Sequence, residues 1–257
     1  MDIPFHQLIS DELANLPAMP VAQLAKKIQV GDLIFIRVVA KPFHVLADVT
    51  GGWTNHVGVV IHVDGKEPHI GESTFPFSRT TTLSKFIARS ERGRIAVARL
   101  KTDLTPKQIK HIQLAAHQRK GVLYDTRFNF HSSRQFCSRY AHEIINEATG
   151  ISIGKLETLK ELVISQPNFK VWIMKLWYFG FVPWELKTMT PVSLLRSAEM
   201  QSIFYGNALI NPGIVQRALR YVAEQIVFKP IRLFYASAMP ALKKRISNLH
   251  KTTWKRL

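Results

Sequence analysis

A β-rich stretch in the first third of the chain places the strongest constraint on the fold. Residues 53–63, WTNHVGVVIHV, are rich in β-branched side chains, DGK at 64–66 is a turn signal, and EPHIGEST follows at 67–74. This order is typical of a β-hairpin. A three-residue turn would make Glu72 a diagonal neighbour of His56 on the same face. A two-residue turn would move Glu72 to the opposite face, so the sequence leaves the register open.

The rest of the chain mixes strand and helix signals. An apolar run at 31–39 predicts a buried strand, and alternation at 94–100 predicts another. Helices are predicted at 8–28 (two short ones, broken by Pro17 and Pro20), 82–90, 105–121, 137–149, 158–165 and 191–195. The mixture predicts the α+β class.

Cys137, the only cysteine, stands at the start of a predicted helix that ends at Gly150. Unpaired backbone N–H groups at a helix start favour an anion, and Arg134 and Arg139 are close in sequence. Both effects are expected to lower the pKa of the thiol. The alternative for a lone cysteine is a small apolar side chain that fills a core.

The composition is that of a globular protein of 257 residues, enough for one large domain or for one domain with an appendage. A single cysteine excludes an intrachain disulfide and suits a reducing compartment. The N-terminus lacks the pattern of a secretory signal, and no stretch reaches the ~18 apolar residues of a membrane-spanning helix. We therefore expect a cytoplasmic protein that can associate with a membrane surface. Export by a route that needs no cleavable signal is the alternative.

The charge is strongly positive and unevenly distributed. The chain has 35 Lys and Arg residues against 18 Asp and Glu, a net charge of +17. Residues 207–257 hold ten basic residues and one acidic residue, a net charge of +9. Apolar and aromatic residues interleave with these charges, which favours helices on an anionic membrane surface; solvated helix faces are the plainer alternative. Nucleic acid is not expected as a partner, because the chain has no recognition motif.

Residues 171–184, VWIMKLWYFGFVPW, are dense in aromatic side chains. They are too few and too charged to span a bilayer. A core strand or a buried helix is the first interpretation. An aromatic ledge that faces a substrate or an interface is the alternative.

Cys137, His56 and Glu72 together make a chemically complete set. A thiol nucleophile needs a base within hydrogen-bond reach, and the base needs a third group that fixes its tautomer. The chain has ten histidines, so His56 is one candidate base among several. Its pairing with Glu72 also depends on the hairpin register. His62 and His69 can approach each other across the hairpin, but a third ligand is not apparent. Neither a metal nor another cofactor is therefore expected.

Five short motifs carry a resemblance to a known family. They are GDLIF at 31–35, NHVGVV at 55–60, GES at 71–73, YDTRF at 124–128 and FCSRY at 136–140. In this order and spacing they resemble the permuted papain-like cysteine hydrolases, and most closely the YiiX/YebB-like branch. That branch is related to the NlpC-type cell-wall peptidases and the lecithin–retinol acyltransferase group. The resemblance covers roughly residues 30–150.

The resemblance implies a circularly permuted papain-like (NlpC-type) α+β fold. An antiparallel sheet or partial barrel would pack against the cysteine helix. Residues 1–29 would be a helical lead-in, 30–200 the catalytic domain, and 207–257 a basic, amphipathic helical extension.

The resemblance also implies roles for individual residues. The nucleophile would be Cys137, the general base His56 and the orienting carboxylate Glu72. Oxyanion stabilisation or substrate binding would fall to Tyr124, Asn55 and Ser138.

The expected reaction is thiolate attack on an amide bond, formation of a thioester and release to water, with a cell-wall peptide or another isopeptide-like substrate. One alternative is a lipid acyl hydrolase or acyltransferase at a membrane surface. Another is a catalytically idle binding module with a membrane-binding tail. Relatives often carry an acidic residue where this chain has Arg139, so the resemblance does not fix the substrate.

Overall fold

The computed structural model describes residues 16–39, 52–63, 65, 67–165 and 171–210. The strands in these ranges are β1 (Ala18–Pro20), β2 (Leu33–Val38), β3 (His56–His62), β4 (His69–Glu72), β5 (Arg79–Thr82), β6 (Ser90–Leu100), β7 (Leu156–Thr158), β8 (Lys187–Met189) and β9 (Met200–Leu209). The helices are α1 (Val21–Leu24), α2 (Leu83–Ile87), α3 (Pro106–Gln118), α4 (Cys137–Thr149), α5 (Leu159–Ile164), α6 (Val171–Trp177) and α7 (Pro191–Leu195). This mixture confirms the α+β class. None of the helices in these ranges is long and apolar enough to cross a membrane.

Seven strands form one sheet in the order β1-β9-β6-β2-β3-β4-β5. Neighbouring strands run antiparallel, as expected, except that the edge strand β1 pairs with β9 in parallel. Strands β7 and β8 form a separate antiparallel pair. The start of α4 lies against the sheet near β3 and β4.

The hairpin β3–β4 has the register that places His56 and Glu72 on one face. Val59 pairs with Gly71 and Val60 with Ile70. Of the two registers that the sequence left open, these pairs select the one that makes Glu72 a diagonal neighbour of His56; nearer the turn the register shifts, and His62 pairs with His69. An irregularity near the turn thus leaves the register at the other end of the hairpin unchanged.

The apolar run in β2 is continuous because helices cover both faces of the sheet. Leu33 and Phe35 pack into the core that includes residues of α3 and α4. Ile34 and Ile36 pack into a second core with residues of α1 and α2. A strand buried on both sides does not show the polar–apolar alternation of a half-exposed strand.

The sheet extends beyond the domain limits expected at residues 30 and 200. Residues 18–20, expected in a helical lead-in, form β1, where prolines are tolerated because the strand lies at an edge. Strand β9 was not predicted at all; its sequence, MQSIFYGNAL, contains few β-branched residues. The expected extension at 207–257 therefore begins inside β9. Residues 1–15 and 211–257 lie outside the described part of the chain.

Candidate active site

Cys137 is the first residue of α4 and is buried. Phe136, at the N-cap position, has no side-chain acceptor for the N–H groups of the first turn. The backbone N–H groups of Ser138 and Val57 instead approach the Cys137 sulfur. At the other end, Gly150 closes the helix in the left-handed conformation, with φ 75°.

His56 begins β3, next to the start of α4. Its Nε2 lies 2.7 Å from Oε2 of Glu72, and the ring also hydrogen-bonds Cys137. Because Nε2 is engaged by the carboxylate, Nδ1 is the ring nitrogen left for the thiol. The ring of Phe86 stacks on the imidazole at a centroid distance of 5.5 Å, which restricts its rotation.

The environments of the thiol and the imidazole favour an ion pair. Burial alone would raise the pKa of Cys137, but the hydrogen bond and charge of His56, with the two N–H groups, outweigh it and lower the pKa. Burial alone would lower the pKa of His56, but hydrogen bonds and charges from Cys137 and Glu72 raise it instead. A thiolate beside an imidazolium is the form in which a cysteine is an effective nucleophile.

Glu72 is a fully buried carboxylate with three cationic or potentially cationic partners. Besides His56, Arg89 donates to Oε2 at 2.6 Å and Arg79 donates to Oε1 at 3.1 Å. Burial alone would raise the pKa of Glu72, but His56 and Arg89 outweigh it and lower the pKa to about 2. The carboxylate is therefore ionised throughout the physiological range.

Sequence reasoning missed both arginines. Arg79 stands directly opposite Glu72 in the β4–β5 pairing. Arg89 reaches the same carboxylate from just beyond α2. An arginine seven residues after the acid, across a short connection, was a usable signal for the first. The second depends on the path of the chain through α2.

Tyr124 lies beside the sulfur, as the resemblance implied. Its hydroxyl hydrogen-bonds Cys137, and its ring is buried against Phe128. Burial and the neighbouring Cys137 raise the pKa of Tyr124 well above its ordinary value. The phenol thus stays protonated and can donate a hydrogen bond to an anion that forms at this position.

Asn55 and Ser138 line the same cavity as Cys137, but their polar groups also hold the frame together. The Asn55 side chain accepts from the N–H of Val38 at 2.7 Å and donates to its carbonyl at 3.1 Å. The Ser138 hydroxyl donates to the carbonyl of Met189 at 2.7 Å. Two of the expected substrate-binding side chains thus hydrogen-bond backbone groups, as expected for buried polar atoms, which need hydrogen-bond partners.

The arginines close to Cys137 in sequence are not among the main causes of its lowered pKa. Arg139 forms an ion pair with Glu143 at 2.6 Å and donates to the carbonyls of Ser132 and Arg134. The groups that lower the pKa of Cys137 are His56 and the backbone N–H groups instead. Arg139 therefore fastens the preceding loop to α4.

A hydrogen bond also joins the β3–β4 hairpin to the loop that precedes Cys137. The Ser73 hydroxyl, one residue after Glu72, donates to the carbonyl of Gln135 at 3.0 Å. Gln135 in turn accepts from the N–H of Asp125 and donates to the carbonyl of Leu123, which joins it to the Tyr124 segment. The segments that carry Glu72, Tyr124 and Cys137 are thereby joined by hydrogen bonds to the backbone of Gln135.

A narrow cavity of about 60 Å³ opens onto Cys137. Its lining is mostly apolar: the larger side chains are Phe128, Phe136, Leu159, Leu162, Met174, Trp177 and Met189. The polar side chains in its lining are Asn55, Tyr124, Ser138, Tyr178 and the threonines at 54, 188 and 190. A ligand that reaches the thiol would therefore leave water for a largely hydrocarbon surface.

Helix α6, in the aromatic stretch, covers this cavity with one face only. Trp177 Nε1 donates to the carbonyl of Thr126 at 3.0 Å, and the Tyr178 hydroxyl donates to that of Arg127 at 2.8 Å. The buried-helix interpretation does not hold for the other side chains of this stretch: Trp172 and Leu176 on α6 are exposed, and so are Phe179 (90 % exposed) and Phe181 (88 %) just after the helix. The interpretation as a buried helix thus holds for the inner face alone.

His62 and His69 do approach each other, with ring centroids 6.0 Å apart. In the described ranges, no cluster of three or more His, Cys, Asp or Glu residues could hold a metal ion.

The chain matches the model of a known family. Residues 27–204 match the family described as "permuted papain-like amidase enzyme, YaeF/YiiX, C92 family". The chain belongs to this family, which confirms the resemblance and extends it beyond residue 150.

The individual relatives are bacterial proteins. The uncharacterized protein YiiX of Escherichia coli K12 is 26 % identical over 196 residues, which cover 76 % of this chain and 93 % of that protein. A crystal structure of YiiX from Escherichia coli O157:H7, titled a metalloprotein, has a similar fold, with a TM-score of 0.62 at 23 % identity. That match covers 70 % of this chain and 98 % of the other.

Proposed function

We propose that this chain is a cysteine hydrolase that cleaves an amide bond through a thioester intermediate. Cys137 is the nucleophile, His56 the general base and Glu72 the carboxylate that orients the imidazole. The substrate class is a cell-wall peptide or another isopeptide-like linkage.

One observation carries the proposal. The three side chains form a continuous buried line, from the Cys137 sulfur through the imidazole to Oε2 of Glu72, 2.7 Å from Nε2. Glu72 fixes the tautomer, so that Nδ1 can accept the thiol proton. Membership in an amidase family supports the amide as the bond cleaved.

In the reaction, the Cys137 sulfur attacks the carbonyl carbon while His56 holds the thiol proton. The tetrahedral oxyanion is stabilised by the Tyr124 hydroxyl and by N–H groups at the start of α4. The imidazolium then protonates the leaving amine, and the amine departs to give the thioester. Water, deprotonated by His56, attacks the thioester and releases the acid and the free thiol.

The test compares the wild-type chain with Cys137→Ala on peptidoglycan fragments, with products identified by mass spectrometry. Wild-type protein should release amine and acid products, and Cys137→Ala should release none while it retains the wild-type circular dichroism spectrum. Equal product from both proteins would overturn the mechanism. Acyl-enzyme on Cys137, trapped by acid quench and detected by intact mass, would support the thioester directly.

A second candidate, hydrolysis or transfer of a lipid acyl group, is favoured by the apolar cavity and by the exposed aromatic residues in α6 and just after it. A hydrocarbon-lined cavity suits an acyl chain, and exposed aromatic residues next to it suit a lipid interface. The basic residues at 207–257 would add attraction to anionic lipid.

The second candidate has its own test. Phospholipids are incubated beside the peptidoglycan fragments, and binding is measured by flotation with anionic vesicles. The double variant Phe179→Ser with Phe181→Ser should float less than wild type, whereas Leu114→Ser, at an exposed leucine on α3, should float equally. Removal of residues 207–257 tests the tail in the same assay. Lipid products without peptide products would replace the first candidate; products from neither would favour a binding module.

A further inference from the structure

We propose that Arg79 and Arg89 are positioning residues that act through Glu72 to set the pH range in which Cys137 and His56 exist as an ion pair. The inference rests on the proposed function, since it concerns the same three side chains. It assigns a role to two residues that lie outside the Cys–His–Glu set.

The two arginines donate hydrogen bonds to different oxygens of the Glu72 carboxylate. Arg89 donates to Oε2 at 2.6 Å, the oxygen that His56 also uses, whereas Arg79 donates to Oε1 at 3.1 Å. Arg89 is also fixed from behind, since its guanidinium lies 5.0 Å from the Phe86 ring centroid. Phe86 stacks on the imidazole as well, so Arg89 and His56 share both the oxygen and the aromatic ring.

The charges around Glu72 then favour proton loss from the pair. A lone buried carboxylate would strongly stabilise the imidazolium. Here two guanidinium groups more than neutralise that carboxylate, so the local charge without the dyad is about +1. The other titratable groups that face the cluster are Cys137 and Tyr140 of α4 and Tyr124. Both tyrosines stay protonated, because burial raises their pKa values.

This positive charge acts in the same direction on both protonation steps. In the first step the thiol loses its proton beside the imidazolium, and in the second the imidazolium loses its own. Nearby positive charge favours the deprotonated form in each case. The arginines therefore move the whole ion-pair window to lower pH, while their hydrogen bonds keep Glu72 in place for His56.

The lone cysteine allows a test that needs no substrate. The alkylation rate of Cys137 by iodoacetamide is measured from pH 4 to 10 in the full-length protein. Wild type should show two steps, one for each protonation event. In Arg89→Gln both steps should move upward, by about one pH unit. Arg89→Lys, which keeps the charge, should restore most of the wild-type profile. Arg79→Gln should show the same direction with a smaller shift, because the Arg79 side chain is 44 % exposed against 27 % for Arg89.

A matched control is provided by another arginine on a buried carboxylate. Arg99 donates to Oδ1 of fully buried Asp32 at 2.7 Å, between β6 and the start of β2. Arg99→Gln should lower the stability of the protein and leave both alkylation steps in place. A general loss of stability is thereby separated from an effect on the thiol.

The outcomes distinguish the two proposals. Two steps in wild type that stay unmoved in Arg89→Gln and Arg79→Gln would overturn the role of the arginines and leave the Cys–His pair intact. A single step in wild type at the ordinary thiol value of about 8.5 would overturn the proposed nucleophile itself. If Arg89→Gln does not fold, Arg79→Gln and Arg89→Lys decide, since Arg79 is the more exposed of the two arginines and Arg89→Lys keeps the charge.

Discussion

The two sides of Cys137 are built in opposite ways. On the sheet side, His56 and Glu72 are buried polar groups whose partners are side chains at hydrogen-bond distance. On the cover side, α5 and α6 contribute a small apolar cluster around Leu159, Leu162 and Met174. Apolar contacts are non-directional, whereas a buried carboxylate tolerates little displacement of its partners. Changes on the sheet side should therefore alter the pKa and reactivity of the Cys137 thiol. Changes on the cover side should alter how well a substrate binds next to it.

The largest effect is expected at His56. His56→Ala removes the proton acceptor and the main group that lowers the pKa of Cys137, so turnover should fall about 10²- to 10⁴-fold. Alkylation of Cys137 near pH 6 should slow by at least about tenfold. His111→Ala, at an exposed histidine on α3, is the control and should match wild type. Wild-type alkylation in His56→Ala would place the activation of the thiol elsewhere.

Glu72 should link the sheet side to acid stability. Its pKa is lowered from 4.5 to about 2 in the folded protein, so the ionised carboxylate stabilises the fold above about pH 4.5. This stabilisation, about 3 kcal/mol, should be lost as the pH falls from 4.5 towards 2. Glu72→Gln should be less stable than wild type at pH 7, because two arginines lose their partner, and should show a flatter stability curve over that acid range.

Chemical denaturation at a series of pH values measures the Glu72 contribution. Glu157→Gln is the control, since its partner Lys155 is largely exposed and an exposed pair contributes little to stability. Parallel acid profiles for wild type and Glu72→Gln would contradict the lowered pKa.

A smaller effect is expected on the cover side. Leu162→Ala empties part of the cluster over the cavity and should cost about 2 kcal/mol of stability. The Michaelis constant for the substrate should rise, while the two alkylation steps of Cys137 stay at their wild-type pH. Ile164→Ala, at an exposed residue of the same helix, controls for helix propensity. A shifted alkylation profile in Leu162→Ala would show that the two sides are coupled.

The smallest effect on stability is expected at the two exposed phenylalanines that follow α6. Phe179→Ser and Phe181→Ser, made separately, should each change the free energy of unfolding by less than about 0.5 kcal/mol, because both rings are almost fully exposed. Thermal unfolding measures this. A loss well above that limit would mean that the rings pack against the protein, which would remove the basis for an interface on this side.

The contrast between the two sides also marks what the sequence could predict. The buried strand at 31–39, the hairpin and the helix behind Cys137 were predictable, because each has a strong local pattern. The pairing of His56 with Glu72 was one of two registers, and the inward-facing set of apolar residues selects between them. Strands β1, β5, β7, β8 and β9 were missed, since the first four have only three or four residues and β9 has weak strand propensity.

Side-chain partners were predicted less well than backbone elements. Tyr124 was expected to stabilise an oxyanion or bind substrate, and its hydroxyl lies within hydrogen-bond reach of Cys137. Asn55 and Ser138 were expected to serve a substrate, but their orientation is decided by the nearby backbone groups of Val38 and Met189. Arg89 reaches Glu72 only through the tertiary path of the chain. Contacts of this kind depend on tertiary packing, for which a single sequence has no local pattern.

The sheet order has a consequence for synthesis. Strand β6 lies between β2 and β9, and its Arg94 pairs with Asn207, more than a hundred residues later. During translation one edge of β6 must stay open until nearly all of this region has left the ribosome, and the parallel edge strand β1 waits for the same partner. Pairings this distant slow folding, and an open strand edge invites association with other chains. A nascent chain stopped before residue 200 would thus carry Cys137 on an unfinished sheet, and it is this intermediate that chaperones would have to protect.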